Sequence, residues 1–224
     1  MGFALRDGLS FCAAGDRVVF LDLADNRYFA LRTPQAEAFR RWALGNLPTD
    51  GDPSQLLWLE RNNILTRQPQ NSRPASQSMP DVQVPRSKID VSKLRPMIAP
   101  IVHAIVARFI WSRRVKRWPL SRLLDVLGPS ATSATLNDSP RNEAALKQMV
   151  RAFRISDLVL GSHDQCLVRS LALVATCRKR GLHCKLVIGV QPNPFAAHCW
   201  AQNESSVLNE TPDRALMFTP ILVA

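Results

Sequence analysis

Between residues 163 and 199 lie Cys166, Cys177, Cys184 and Cys199, together with His163, His183 and His198. Such residues can hold a zinc ion, close disulfides, or pair a nucleophilic thiol with a base. Zinc is disfavoured by spacing, because no C-x-x-C pair is present and no two histidines stand at helical ligand separation. A disulfide framework is disfavoured by count, because five cysteines leave one over. The opening "MGFALRDGLSF" has no apolar run long enough for a secretory signal, and Asp7 interrupts it, so a cytoplasmic, reducing setting is expected. What remains is a thiol working with an imidazole.

The element that must carry the thiol is "CLVRSLALVATCRKRG", which reads as one buried helix. Asp164 or Ser162 is expected to cap its start, Arg178, Lys179 and Arg180 fill its last turn, and Gly181 terminates it. Cys166 then sits in the first turn, where unpaired N–H groups and the positive end of the helix dipole favour a thiolate. Cys177 lies on an interior turn, away from that field, and reads as packing. "HCKLVIGV" and "AHCWAQN" follow as strands and "VLNE" as a third, with the proline-broken "QPNPF" between the first two. A cysteine at a helix head, a histidine on a following antiparallel strand and a polar residue on the next make the thiol–imidazole arrangement of papain-like and transglutaminase-like cores. The order is Cys166, His198, then Glu210 or Asn209, which point to opposite faces if they share a strand.

Structural alternatives accompany each residue. His163 is near enough in sequence to Cys166 to act as its base, but reads better as a surface or capping residue. His183 and Cys184 open a strand and are expected to be structural, and His103 is a lone polar group on an apolar helix, satisfied locally. Cys199 alternates to the face opposite His198 and reads as core. Trp200 returns to the face of His198 and is expected to wall the substrate pocket. Gln165 is a candidate side-chain donor to an oxyanion, beside the backbone N–H groups of the helix start.

Ahead of this region, residues 9–32 alternate apolar and polar positions and break at "AAGD" and "ADN", which predicts a meander of three half-buried strands. Thr33 as N-cap, Pro34 at the first helical position and Gly45 as terminator bound one helix, a second starts near Asp52-Pro53, and "NILTRQ" returns as a strand. This is the plan of a small winged-helix-like module. It holds no catalytic constellation, since Cys12 has no histidine near it. An exposed sheet edge would suit it to binding a peptide by strand addition. The expected binding surface is the third strand, Arg27, Tyr28, Phe29, Ala30 and Leu31, with Leu56 and Leu59 of the second helix as the other wall.

Composition sets the frame. A chain of 224 residues with 46% hydrophobic content can bury a substantial core. Residues 69–88 are rich in Pro, Ser and Gln and read as a linker, dividing an N-terminal module at 1–68 from a C-terminal domain at 89–224. Within the latter, helices are expected at 91–111, 117–127 and 142–158, with a polar loop between Gly128 and Pro140. The apolar run Met97 to Trp111 is short for a membrane span and contains Pro100, His103 and Arg108. The net charge of +11 is concentrated around residues 107–124, where Arg108, Arg113, Arg114, Lys116, Arg117 and Arg122 interleave with Trp111 and Trp118. A nucleic-acid surface is one reading; a solvated helix face whose cationic stems cover apolar neighbours is simpler.

In "DQCLVRSLAL", "LVIGVQPNPFAAHCW" and "VLNETPD" the chain resembles the B proteins of lasso-peptide biosynthesis, leader peptidases with a transglutaminase-like cysteine-protease core. Undivided members carry a winged-helix-type precursor-recognition element ahead of the peptidase, so the resemblance extends over nearly the whole chain. It implies an α+β protein that removes the leader from a ribosomally made precursor, with Cys166 as nucleophile, His198 as base and, in place of the family's usual aspartate, Glu210 as the third member. It also implies two partners: the precursor peptide, and an asparagine-synthetase-like cyclase that uses ATP. No phosphate-cradling Gly-rich loop occurs here, so no cofactor is expected and any ATP requirement belongs to the cyclase. A transglutaminase-type acyl transferase and a non-catalytic, basic nucleic-acid-binding protein stand as rival functions.

Overall fold

The computed structural model describes residues 2–46, 49–68, 82–128, 140–161 and 164–224. Ser162, His163, positions 69–81 of the linker and the loop between Gly128 and Pro140 lie outside the described residues.

The N-terminal part contains β1 (Gly2–Leu5), β2 (Leu9–Ala14), β3 (Arg17–Asp22), β4 (Arg27–Ala30), α1 (Thr33–Ala43), α2 (Asp52–Arg61) and β5 (Leu65–Gln68). β2, β3 and β4 form an antiparallel meander in that order, and β1 pairs with β5. The first turn uses Gly15 at φ +60° and the second Asn26 at φ +52°, left-handed conformations that these residues adopt at low cost. Asp22 tightens the second turn by accepting the N–H groups of Ala24 and Asp25 at 3.1 and 3.3 Å. Helix α1 starts one residue earlier than its expected cap, with Arg32 rather than Thr33 at the N-cap. Strand β1 escapes the sequence pattern because four residues are too few to show a period; its register comes from β5, with Leu5 opposite Leu65.

Every residue of β3 after Arg17 is buried, so the expectation of half-buried strands needs correction. Phe20 faces the module's own helices, with the Phe29 ring stacked at 5.0 Å and the Phe39 ring edge-on at 4.9 Å. Val19 and Leu21 face the other way and, with Cys12 and Ala14 of β2, join the core of the C-terminal part. Ser10 Oγ donates to the Ile221 carbonyl, Leu120 N to Asn26 Oδ1 at 2.6 Å and Ser121 N to the Leu23 carbonyl at 3.0 Å. A strand pinned between two cores cannot alternate in polarity, which is why "VVFL" is apolar throughout.

The C-terminal part follows as β6 (Ser87–Lys88), α3 (Ile98–Val115), α4 (Leu120–Leu127), α5 (Pro140–Leu160), α6 (Cys166–Lys179), β7 (Lys185–Pro192), β8 (Phe195–Asn203), β9 (Ser206–Val207), α7 (Pro212–Leu216) and β10 (Thr219–Val223). The sheet runs β10-β7-β8-β9-β6, antiparallel except between β6 and β9. Helix α6 is buried continuously from Ser170 to Cys177 because α3, α5 and β8 enclose it. The expected strand "VLNE" is cut to Ser206–Val207, and Leu208–Glu210 leave the ladder. The basic run does not lie on one solvated face. Arg108 is only 1% exposed and Trp111 is buried, whereas Arg113 lies over Phe109 at 4.3 Å and Arg122 over Trp118 at 4.3 Å. Among the described residues no helix is long and apolar enough to cross a membrane.

Candidate active site

Helix α6 begins at Cys166, with Gln165 at the N-cap and no side-chain cap. Asp164, one of the two expected caps, occupies the left-handed region at φ +53°; the other, Ser162, lies outside the described residues. The N–H of Leu167 in the first turn and that of Cys199 on β8 point to the Cys166 sulfur. Burial opposes ionisation of Cys166, but hydrogen bonding and charge from His198 outweigh it and hold the thiol below its ordinary pKa. The other thiols behave differently. Burial pushes Cys12 up to about 12 and also raises Cys199, while a hydrogen bond with Cys184 and then burial raise Cys177.

His198 lies on β8 opposite Gly189 of β7, 7% exposed, with the Phe218 ring 5.2 Å away. Its Nε2 is 2.8 Å from Glu210 Oε2, which leaves Nδ1 for the thiol. Burial disfavours the imidazolium, yet bonds to Cys166 and Glu210 overcome this and push the pKa up to about 9. On Glu210 burial is likewise outweighed, by His198 and by the Thr211 N–H at 3.0 Å, so the carboxyl is held below its usual range. The shifts act together: His198 is held protonated up to about pH 9, while Cys166 and Glu210 are both drawn toward their charged forms.

The neighbouring Asn209 has a different task. Its Oδ1 accepts the Ala201 N–H at 2.8 Å and its Nδ2 donates to Ser170 Oγ at 2.9 Å, while Ser170 Oγ donates to the Cys199 carbonyl at 3.1 Å. Asn209 thus pins the segment bearing Glu210 to α6 and β8.

The reading of residue types passed over a buried network behind the thiol. Arg108 donates to Asp157 Oδ1 at 2.9 Å, to Ser156 Oγ at 3.3 Å, to the Gly161 carbonyl at 2.6 Å and to Gln165 Oε1 at 2.8 Å. Asp157 also accepts Arg169 Nε and Nη2 at 2.9 and 2.7 Å, and Arg169 reaches the Asn209 carbonyl at 3.3 Å. The network joins the residue before Cys166 to the residue before Glu210. Its only sequence signal was an arginine inside an apolar helix, since an unpaired buried charge is too costly to persist. The oxygen of the Gln165 amide is taken by Arg108, so only the Nε2 end is left as a donor.

Several expected site residues fall elsewhere. Trp200 is 1% exposed; it lies 6.3 Å from the His198 ring and donates to Gln202 Oε1 at 2.9 Å, so it supports the imidazole from within the core and cannot wall a pocket. Leu59 is completely buried in the N-terminal core and Leu56 packs against it, so neither forms a groove wall. Instead, a groove of 710 Å³ runs between β4 and α2, lined by Arg27, Phe29, Ala30, Leu31 and, from the helix, Trp58. Tyr28 faces the other side of β4, its ring 5.5 Å from Phe195 at the tip of the β7–β8 hairpin. His103 is exposed on α3 and belongs to no site.

Residues 105–223, more than half of the chain, match the profile of the Transglutaminase-like superfamily. The chain belongs to this superfamily. No curated protein and no solved structure matches it. The matched segment contains Cys166, His198 and Glu210, and its mixed helix and sheet make the C-terminal part a transglutaminase-like domain. A thiol of lowered pKa beside an imidazole, in a transglutaminase-like core, can take an acyl group from an amide and pass it to water or an amine. That is cysteine-protease-like or acyltransferase-type chemistry.

Proposed function

We propose that the protein is a cytosolic leader peptidase of lasso-peptide biosynthesis. Cys166 thiolate attacks the scissile carbonyl, and the oxyanion that forms is received by N–H groups at the head of α6. His198 gives its Nδ1 proton to the departing amine, which becomes the new N-terminus of the core peptide. Neutral His198 then takes a proton from water as the hydroxyl attacks the thioester, and the leader leaves with a carboxylate while Cys166 regains its thiolate pair. Glu210 holds the ring and its charge throughout.

The observation that carries this reading is the joint presence, in one molecule, of the Cys166–His198–Glu210 arrangement and a groove beside an unpaired strand edge. Among the described residues, strand β4 pairs with β3 alone. A leader adding to its free edge gains main-chain hydrogen bonds and lays side chains into the groove between β4 and Trp58. The freed amine would pass to an ATP-dependent, asparagine-synthetase-like cyclase, and the exposed Arg113, Lys116 and Arg117 at the end of α3 are a place for that partner. The test is incubation with the precursor encoded beside this protein, followed by mass spectrometry. Cleavage by wild type and none by Cys166→Ala is expected; cleavage by Cys166→Ala would overturn the assignment. The superfamily also supports acyl transfer to an amine, which the same spectra would reveal as crosslinked product in place of two fragments.

A further inference from the structure

Beside the leader groove, a second pocket of 240 Å³ lies where the two parts of the chain meet. Val19, Tyr28, Phe29 and Ala30 line it from the N-terminal sheet, Pro192 and Phe195 from the β7–β8 hairpin, and Arg17 is its one charged residue. We propose that this pocket is a subsite for a large apolar side chain of the peptide substrate, about three residues to the leader side of the scissile bond. The inference rests on the peptidase reading above and adds the substrate preference of that site.

Three features of the geometry carry it. First, β4 alternates: Phe29 stacks on Phe20 within the N-terminal core, so the Tyr28 ring turns to the opposite face, toward Phe195, while Phe29 and Ala30 border both the groove and the pocket. A strand added at the free edge of β4 alternates likewise, sending one set of side chains into the groove by α2 and the other into the smaller pocket. Second, Phe195 and His198 lie on the same strand, three residues apart, a span of about 10 Å. Their side chains point to opposite faces of β8, and the pocket meets the thiol through Tyr28, which lines it and lies near Cys199 and Cys166, so peptide in the pocket reaches Cys166 in roughly three residues. Third, the walls are almost wholly apolar and Phe195 is 54% exposed, so they lose water contact only when an apolar group fills the space. The Tyr28 hydroxyl fits this position, since burial and then the nearby Cys199 and Cys166 raise its pKa to about 12. A recognition strand that also walls the approach to the thiol couples leader binding to the position of the bond to be cut.

The experiment uses the full chain and precursor peptides in which each residue two to five positions ahead of the cleaved bond is replaced, one at a time, by Leu or by Asp. With wild-type protein, one position near the third should lose tenfold or more in kcat/KM on going from Leu to Asp. In Phe195→Ala that discrimination should shrink to a few-fold, and in Phe195→Arg it should reverse. Ala30→Trp, which fills the pocket from an exposed position, should slow cleavage of the Leu peptide by tenfold or more; thermal melts check that each variant is folded. Cleavage of the unmodified precursor with a flat Leu/Asp profile, or a profile unchanged by Phe195→Ala, overturns the subsite while sparing the peptidase. No cleavage of the unmodified precursor by wild type overturns both.

Discussion

Glu210 Oε2 lies 2.8 Å from Nε2 of His198, the nitrogen turned away from Cys166. The pairing fixes the tautomer that serves the thiol and sustains the charged ring. Glu210→Gln keeps the shape but withdraws the negative charge, so the His198 pKa should fall from about 9 toward its ordinary value. Turnover should drop by roughly 10²-fold or more, as when the orienting acid of a triad is neutralised. An NMR titration of His198 and single-turnover kinetics would measure both; an unaltered histidine pKa would remove Glu210 from the mechanism.

The pH dependence follows from the directions of the shifts. Cys166 ionises below its ordinary value of 9.0 and His198 loses its proton at about 9, so the ion pair exists in a window that closes near pH 9 and opens at the lowered thiol pKa. Cleavage should fall on the acid side as the thiolate is protonated and on the alkaline side as the imidazolium is lost near pH 9. The raised His198 pKa also stabilises the fold, fully below the unfolded histidine value of 6.5, and this contribution is lost as pH rises through about 9. In His198→Ala, burial of Cys166 is left without its counterweight, and iodoacetamide labelling at pH 7 should slow at least tenfold.

Gly189 stands opposite His198 in β7. A Cβ there would meet Phe218 Cβ at 2.8 Å and the Trp200 ring at 3.0 Å, both in the packing that supports the imidazole. Gly189→Ala should destabilise the protein by about 1–3 kcal/mol and lower turnover by displacing His198. Urea unfolding and kcat would report the two effects separately.

Arg108 is the buried hub behind Cys166. Arg108→Met takes one of two arginine partners from Asp157, which keeps Arg169, and strands Gln165 Oε1 and the Gly161 carbonyl, at a cost of about 1–3 kcal/mol for each stranded acceptor. Arg108→Lys keeps the charge but cannot span the same four acceptors, and should recover only part of that stability in a denaturant titration.

Trp58 is 42% exposed at the wall of the groove between β4 and α2, the proposed leader site. Trp58→Ala should weaken precursor binding about tenfold, read by fluorescence anisotropy of a labelled leader. Deleting residues 1–68 is a poorer test of leader binding, because it strips Cys12, Ala14, Val19 and Leu21 from a core they share with α6 and the second sheet. Such a truncation should aggregate or melt at markedly lower temperature in a thermal scan.

Local rules were enough to find the elements that hold the thiol and the imidazole. Gly181 and the basic last turn bound α6, and the apolar runs of β7 and β8 mark them as strands, because capping and periodicity act over a few residues and leave their trace in the chain itself. Asn209 and Glu210 could not be told apart that way, since both are polar and adjacent; only their exit from the ladder after Val207 aims one at Ser170 and the other at His198. Trp200 shows the limit of alternation: sharing a face with His198 does not decide whether that face is open, and here Val187, Val207 and Ala215 cover it.

The amino-acid order alone determined a thiol at a helix head, a histidine on a strand behind it and an apolar meander in front, because these depend on neighbours in the chain. Tertiary structure decided which acid meets the ring, that Arg108 lies inside rather than on the basic face, and that both faces of β3 are covered. Each of these depends on surfaces brought together from distant segments, and burial of a charge or a strand face is a property of that meeting, absent from either segment by itself.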